Sequence, residues 1–546
     1  MPKVPFWIFI LLALLHLSAF YIDVMDVDAS QYAEMSREMA ESGSYLQLYD
    51  RGNEYLDKPP FLFWITSLSM TVFGVSNFAY KLPSVLFAFW AIYATYRLGR
   101  LLYGEAAGRM AALVLGTCQG LFLVTNDIRT DTILMSWVVT AIWLIKEWDV
   151  TNKLKYLLLG CAAISFGMMT KGPIALLVPV FCFASDWALR RDWKKFFQPA
   201  YLLGIIVIAI LLIPMSIGLY QQFDLHPEKT VNGLQNVSGL RFFYWSQSFG
   251  RITGESPWSN GAGFDFLFSS MLWAFLPWIL LFVAALLVNI VQLAKQRFLL
   301  KPGQEWITTG GFILSYIALG SSKYQLPHYI FVVFPLTSIM VAALLKSYFE
   351  QNSFAGFFRI IKPTQIVVSA LLLVAALLVI TIVFPAGFLG YALWTLAVIV
   401  WLLALWKTPV RSKFFYMSVA GVMLANVFLT HYFYRNLMQY QVGSQVGRYI
   451  TKNNIDPKEV KFKSIDNALV SLHFYANHLI RDTGTFRPGK YVLTTPPGLD
   501  TLKAEGHSYD IVNQGVYYRV SEVTPAFLNP QTRPEAVSTY HLIKLK

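Results

Sequence analysis

The chain has 546 residues, of which 56% are hydrophobic and 14% charged, and a formal net charge of +13. Soluble domains carry about 25% charged residues, so that class is excluded. The basic excess is not a nucleic-acid footprint either, because lysines and arginines cluster in short loops between apolar runs, where they set membrane topology.

Runs of about 20 apolar residues, each long enough for a ~30 Å hydrocarbon core, recur as far as residue 434. They predict a polytopic α-helical membrane protein with thirteen spans: 4–22, 79–101, 107–124, 130–147, 154–170, 173–189, 201–220, 268–294, 306–321, 327–346, 364–384, 388–406 and 414–434. Val4 to Tyr21 lacks a small-x-small cleavage site and reads as the first span, not a signal peptide. The three cysteines, Cys118, Cys161 and Cys182, all fall in apolar runs, which argues against a disulfide framework. Inner loops hold groups such as Arg97, Arg100 and Arg109, or Arg190, Arg191, Lys194 and Lys195, whereas the short outer turns hold only Arg129, Lys171 and Lys323. That asymmetry predicts a cytoplasmic N-terminus and an outer C-terminus. Three polar pieces then share the outer side: 23–78, 221–267 and 435–546.

In the first outer loop, Ala29–Ser42 reads as an interfacial helix, with Tyr32, Met35 and Met39 on one face and Gly43 as its stop. Lys58 precedes Pro59-Pro60, which favours extended backbone there. Phe61–Gly74 reads as a second interfacial helix. The 221–267 loop, with its FFYWSQSFGRITGESPW stretch, is expected to pack on the first loop. A transmembrane domain is therefore expected over 1–434. Residues 435–546 are expected to form a small α/β domain, with helices near 441–451 and 467–478 and strands in KYVLTT, YDIVN, VYYRVSEV and TYHLIKLK.

Two carboxylates stand out on the outer side. Asp28 fits a capping box with Gln31, a role compatible with turning an oxygen toward a ligand. Asp131 lies at the outer start of the fourth span, where an ionisable group marks function or pairing, Arg129 being the nearest pairing partner. Lys58, Lys171, Arg251 and Lys323, the last beside Tyr324 and Tyr329, each read alone as headgroup-snorkelling cations. Together with the two acids they describe an outward cavity suited to an anionic leaving group and an acceptor that loses a proton. His226, His328 and Asp57 offer donors for a divalent metal, without the tight spacing that would define a site. No P-loop, dinucleotide turn or GxSxG is present, so an activated donor must bring the energy to the outer face.

The order of these motifs resembles a known family. An outer-loop acid precedes Tyr-Ala-Glu-Met-Ser-Arg-Glu-Met and Tyr55-Leu-Asp-Lys-Pro-Pro60. Asp131, Thr170-Lys-Gly-Pro173, FFYW…GRITG before Leu276-Pro-Trp278, and Ser322-Lys-Tyr-Gln-Leu-Pro-His-Tyr329 follow. From about residue 5 to 435 this is similar to the aminoarabinose transferase (ArnT) branch of lipid-phosphate-sugar-dependent glycosyltransferases, which also includes the protein O-mannosyltransferases. The resemblance implies a GT-C fold, an undecaprenyl-phosphate sugar donor and transfer with inversion. It implies catalytic roles for Asp28 and Asp131. It places Tyr32, Tyr55, Asp57, Lys58, Lys171, Arg251, Lys323 and Tyr329 around the lipid phosphate and substrate. Lipid A or a related envelope glycolipid would be the acceptor, in a bacterial inner membrane. Departures are visible: the family's Asp-Glu-x-Arg-Tyr is here Asp28-Ala-Ser-Gln-Tyr32, its Glu-Lys-Pro-Pro is Asp57-Lys-Pro-Pro, and Ser248 replaces a frequent histidine. These put the family's metal site, and aminoarabinose as the sugar, in question. Protein O-glycosylation is the alternative with the same donor chemistry. A lipid flippase is the alternative from another class, although no paired broken helices or central charge array support it.

Overall fold

The computed structural model describes residues 2, 4–231, 233–255, 258–465, 469–480 and 486–546, the side chain of Ile252 excepted. Asn232, Ser256 and Pro257 of the second outer loop, and 467–468 of the predicted tail helix, lie outside the described residues.

Each predicted span coincides with helix. In order these are α1 (Phe6–Leu17), α2 (Asp28–Ser42), α3 (Phe61–Phe73), α4 (Asn77–Tyr103), α5 (Glu105–Gly116), α6 (Gln119–Asn126), α7 (Thr130–Thr151), α8 (Leu154–Lys171), α9 (Ile174–Arg190) and α10 (Ala200–Leu219). The later helical segments include Phe266–Ala274, Ile279–Lys295, Ile307–Gly320, Phe334–Gln351, Ala355–Leu378, Phe388–Lys407 and Lys413–Phe428. Helices α2 and α3 match the two expected in the first outer loop.

The thirteen spans need correction in detail. Among the described residues, five helices are long and apolar enough to cross a membrane, or six counting α5 and α6 as one span bent by 53°. The predicted span 268–294 is likewise interrupted, between Ala274 and Ile279. An apolar run alone cannot reveal such breaks, because they arise where chain turns are satisfied by neighbours: the Gln119 amide opening α6 donates to the Leu276 carbonyl at the other break, at 3.0 Å.

Small residues bring the helices together. The buried face of α4 carries Ala79, Ser84, Ala88, Ala91, Ala94 and Gly99. A Cβ on Gly108 of α5 would lie 2.7 Å from the Tyr96 carbonyl of α4. Close backbone approach of this kind supplies dispersion contacts where lipid removes the hydrophobic drive. By contrast, Leu202, Ile205, Ile206 and Ile210 of α10 and Leu389, Leu393 and Leu396 of 388–407 are exposed, as lipid-facing side chains should be.

The polar pieces gather at one end of the helical body. Gln222 bonds both main-chain polar groups of Leu48, at 2.7 and 2.9 Å, and Glu54 at 2.6 Å, joining the second polar loop to the first. At the same place α10 passes so close that a Cβ on Gly218 would lie 2.1 Å from the Leu46 carbonyl. Gly218→Ala is therefore expected to destabilise the protein by about 1–3 kcal/mol through overpacking. A drop in the detergent melting temperature would show this, and an unchanged midpoint would contradict it. Basic loops meet at the other end, where Asp149 receives Lys146 at 2.5 Å and Lys195 at 2.6 Å.

Residues 442–546 build a four-stranded sheet in the order Val460–Lys463, Tyr491–Thr494, Ser538–Leu545, Tyr509–Tyr517. The first pair is parallel and the others antiparallel. YDIVN and the start of VYYRVSEV are one strand with an irregularity between Ile511 and Asn513, not two strands. The strand at 460–463 was not expected. The predicted helices near 441–451 and 467–478 are Val442–Lys452 and Val470–Tyr475.

Helix α2 lies between this sheet unit and the helical body. Gly43, at φ 71°, takes the left-handed conformation that ends it. Arg37, 3% exposed, bonds Glu34 at 2.7 and 2.8 Å and Glu41 at 2.6 Å. Glu38 Oε2 is buried without a hydrogen-bond partner. Burial first, then the nearby Glu34 charge, raise the Glu38 pKa from 4.5 to about 7. The folded state thus holds a proton that the unfolded state releases above pH 4.5, so this group lowers stability as pH rises from there to about 7. Glu38→Gln should gain stability over wild type between pH 5 and 8; melting curves that stay parallel across that range would contradict this.

Candidate active site

Loop and helix ends from six parts of the chain converge on a cavity of about 130 Å³ at the polar end of the body. Its walls are Asp28 and Tyr32 from the start of α2, Asp57 and Lys58 from the turn before α3, and Arg129 and Asp131 at the start of α7. Lys171 from the end of α8, Arg251, His328 and Tyr329 complete it. Local sequence explains several of these placements. Pro59-Pro60 opens α3 and fixes Lys58 just outside it. Gly172, at φ 96°, stops α8 so that Lys171 is its last residue.

The two acids are held differently. Asp131 is 1% exposed, with Oδ1 2.5 Å from Lys171 Nζ. Its Oδ2 has no hydrogen-bond partner, and His328 Nε2 lies 3.6 Å away. Asp28 is half-exposed and pairs with Arg129, which also donates to Asp127 at 2.7 and 3.1 Å. The Arg129–Asp131 pair weighed from sequence is thus not formed. Nor does Asp28 cap: α2 has no side-chain cap hydrogen bond, because Asp28 is the first helical residue and its carboxylate turns to Arg129.

The cations crowd together around aromatic rings. Lys171 Nζ stands 3.9 Å from the centre of the Tyr329 ring. Arg251 donates to Tyr329 Oη at 3.1 Å and lies over the Tyr324 ring at 5.2 Å. Its Nε is buried without a partner. Lys58 Nζ is 2.5 Å from Asp57 Oδ2. Burial works against the Lys58 ammonium, but Tyr32, Asp57 and Tyr329 outweigh it and hold its pKa above the ordinary lysine value. Burial likewise works against the Asp57 carboxylate, but Lys58, Arg251 and Lys171 outweigh it and hold that pKa low. Burial raises the Tyr32 phenol, which stays protonated. The pocket therefore carries unused hydrogen-bonding capacity on Asp131 and Arg251, and burial lowers the Lys171 pKa from 10.5 to about 8 against the opposing pull of Asp131. An anion entering it would meet three cations without new side-chain ordering.

Two predicted residues lie elsewhere. Tyr55 is buried against Phe63, edge-on at 6.1 Å, and does not line the cavity, because the Tyr49–Asp50/Asn53–Glu54 hairpin turns it into the core. Lys323 is exposed beside Gly254, and its amide and carbonyl, not its ammonium, tie it to Arg251 and Asn260. Lining residues that were missed include Arg129, read only as an outer-turn cation or a partner for Asp131, Gln31, read only as a capping partner of Asp28, and Thr130. His226 is exposed, with Nδ1 2.9 Å from Glu228, and does not reach the cavity. Among the described residues no three His, Cys, Asp or Glu side chains are grouped to hold a metal ion. Asp57 and Asp131 each already have a lysine partner, so the donors present do not fit a divalent cation.

A second cavity of about 100 Å³ shares Lys171, Arg251 and Tyr329 with the first and continues between Leu134, Ile174, Leu177, Phe249 and Leu319. The cations thus stand where a polar chamber meets an apolar one. A larger cavity, about 470 Å³, lies at the opposite end beside Tyr103, Glu305 and Lys346. There Glu305 is already occupied by Tyr103 and Thr308. The polar-end cavities, with their unpartnered charged groups, are the better place for chemistry.

Comparison with known proteins bears on the fold that carries this cavity. Residues 57–217 match the family model described as dolichyl-phosphate-mannose-protein mannosyltransferase. The undecaprenyl phosphate-alpha-4-amino-4-deoxy-L-arabinose arabinosyl transferase of Edwardsiella ictaluri is 26% identical over 333 residues, 60% of this chain and 56% of its own length. The transferase of that name from Erwinia tasmaniensis is 24% identical over 460 residues, 82% and 76% respectively. The chain thus aligns with little more than half of the first of these relatives. The crystal structure of ArnT from Cupriavidus metallidurans bound to undecaprenyl phosphate superposes with a TM-score of 0.73 at 17% identity, covering 99% of this chain and 98% of that one. The protein has the GT-C architecture of membrane-embedded glycosyltransferases, with multiple apolar helices in the membrane. Its fold is like that of the ArnT structure.

Proposed function

We propose that the protein is a glycosyltransferase that moves a sugar from undecaprenyl phosphate to an acceptor at the outer face of a bacterial inner membrane, with lipid A or a related glycolipid as acceptor. The observation that carries this reading is the junction of the two cavities: Lys171 and Arg251 stand between an apolar slot suited to a polyprenyl chain and a polar chamber holding Asp28 and Asp131. The named activity of the relatives supports the same donor. In this scheme residues 1–434 form the catalytic transmembrane domain, and 435–546 a periplasmic α/β domain. The N-terminus is cytoplasmic, as the basic inner loops require.

The step is a displacement at the anomeric carbon. An acceptor oxygen forms the new C–O bond as the bond to the phosphate oxygen breaks. The electron pair leaves with the phosphate, and the acceptor's proton passes to Asp28. Charge grows on the departing phosphate, so cations placed around it stabilise the transition state more than the ground state. Lys58, Lys171 and Arg251 fill that role. Asp131 holds Lys171 in place, while Tyr32 and Tyr329 wall the chamber.

The mannosyltransferase family match favours one second reading, a protein acceptor for the same donor. The test is the full-length chain in vesicles with undecaprenyl-phosphate-linked sugars and either lipid A or periplasmic protein, with products read by mass spectrometry. Glycosylated lipid A is expected. Glycopeptide alone would move the reading to the protein acceptor. Movement of the donor across the bilayer without any transfer would overturn both.

A further inference from the structure

The segment leading into α2 is gripped by the C-terminal unit through polar contacts, those of Gln441 and Ser471 buried, that the proposed chemistry does not use. Residues 23–26 receive four different side chains from 441–475. Arg448 pairs with Asp23. The Val24 amide donates to Tyr475 Oη at 2.8 Å, and the Val24 carbonyl accepts from Gln441 Nε2 at 2.8 Å. Gln441 Oε1 then accepts from the Asp26 amide at 2.8 Å.

Asp26 is the centre of this grip. It is fully buried, as are Gln441 and Ser471. Its Oδ1 accepts from Ser30 Oγ at 2.6 Å and from the Ser471 amide at 2.8 Å, and its Oδ2 accepts from Ser471 Oγ at 2.7 Å. Ser30 lies in the first turn of α2, which Asp28 begins. One carboxylate therefore ties the C-terminal unit to the helical turn that carries the cavity's first acid. A buried carboxylate is costly unless its oxygens are satisfied, so the network holds a single geometry. Asp26 itself does not line the cavity.

We propose that the C-terminal unit sets the position of Asp28, with Asp26 as the positioning residue through which Ser471 and Gln441 act. This rests on Asp28 having the role given above. A misplacement of about 1 Å can cost about a hundredfold in rate, so the grip should be felt in turnover, not in donor binding.

The experiment uses the purified full-length chain, comparing Ser471→Ala, Asp26→Asn, Asp26→Ala and the Ser471→Ala/Asp26→Asn pair. For each, kcat and KM for transfer are measured per folded molecule, beside the Kd for undecaprenyl phosphate. Turnover should fall by about 3–10-fold in Ser471→Ala and by about 10–100-fold in Asp26→Asn, within the range expected for mispositioning. Asp26→Asn keeps one acceptor oxygen and should retain more activity than Asp26→Ala. The pair should be no worse than Asp26→Asn alone, because both act through one contact. The Kd should stay within about twofold of wild type, since the phosphate contacts are untouched. A merely structural role would lower the melting temperature and the folded fraction without changing kcat per folded molecule. If Asp26→Asn does not fold, Ser471→Ala and Gln441→Ala carry the test. Unchanged kcat in these variants, or strictly additive losses in the pair, would overturn the positioning role while an inactive Asp28→Asn still upheld the reading of the site. Full turnover in Asp28→Asn would overturn both.

Discussion

Asp28→Asn is expected to lower turnover by about 10²–10⁴-fold, the usual contribution of a positioned general base. The substitution keeps the shape and a hydrogen-bond acceptor but removes the capacity to take a proton. Among the acids of the chamber Asp28 is the better candidate, because its carboxylate is half-exposed whereas Asp131 is 1% exposed and bonded to Lys171 at 2.5 Å. Arg129 neutralises Asp28 and Asp127 together, so the variant leaves Arg129 with Asp127 and should fold. Undecaprenyl phosphate should bind Asp28→Asn as well as wild type, which separates the chemical step from donor affinity. Asp131→Asn should behave differently. It would free Lys171 from its partner and disturb the phosphate side of the pocket, changing donor affinity as well as rate. If Asp28→Asn kept wild-type turnover, the proton would have to go elsewhere.

Lys58→Ala is expected to weaken undecaprenyl phosphate binding by about 10–100-fold, the loss of a charge-assisted contact worth about 1.5–3 kcal/mol. Two effects combine. The ammonium no longer meets the phosphate, and Asp57 is left without its bonded cation while facing an anion. The second effect is separable. Asp57→Ala/Lys58→Ala should bind the lipid phosphate more tightly than Lys58→Ala alone, because the repulsive partner is gone. Equilibrium binding at low salt measures both. Equal affinities in the single and double variants would mean that Asp57 does not face the ligand.

Much of this site was legible in the sequence, for identifiable reasons. Apolar runs fix helices in a membrane protein because lipid leaves the backbone no alternative. A carboxylate at the head of an apolar run, as at Asp131, stands out on cost alone. The helix ends at Gly43 and Pro60 were also readable, since Gly43 stops α2 and Pro59-Pro60 open α3. Pairings across the fold were not legible. Arg129 is two residues from Asp131 and 101 from Asp28, yet it bonds Asp28 and Asp127, while Asp131 takes Lys171 from the next helix. Arg129 is extended and stands outside α7 whereas Asp131 lies in its first turn, so these two diverge while Arg129 meets Asp127 along the extended stretch before the helix. Tyr55 and Lys323 were misplaced for a similar reason: a two-residue hairpin decides which way Tyr55 points, and main-chain contacts decide where Lys323 sits. The breaks at 117–118 and 275–278 lie inside runs that read as continuous spans; Pro277 removes an amide donor at the second, and at the first the Gln119 amide is satisfied by the Leu276 carbonyl.

The most direct measurement is a structure of the full-length protein with undecaprenyl phosphate. The phosphate is expected at the seam of the two chambers, within hydrogen-bond distance of Arg251 and at least one of Lys58 and Lys171, with the polyprenyl chain leaving between Ile174 and Leu319. A phosphate bound at the opposite end of the helices, beside Glu305 and Lys346, would contradict the account.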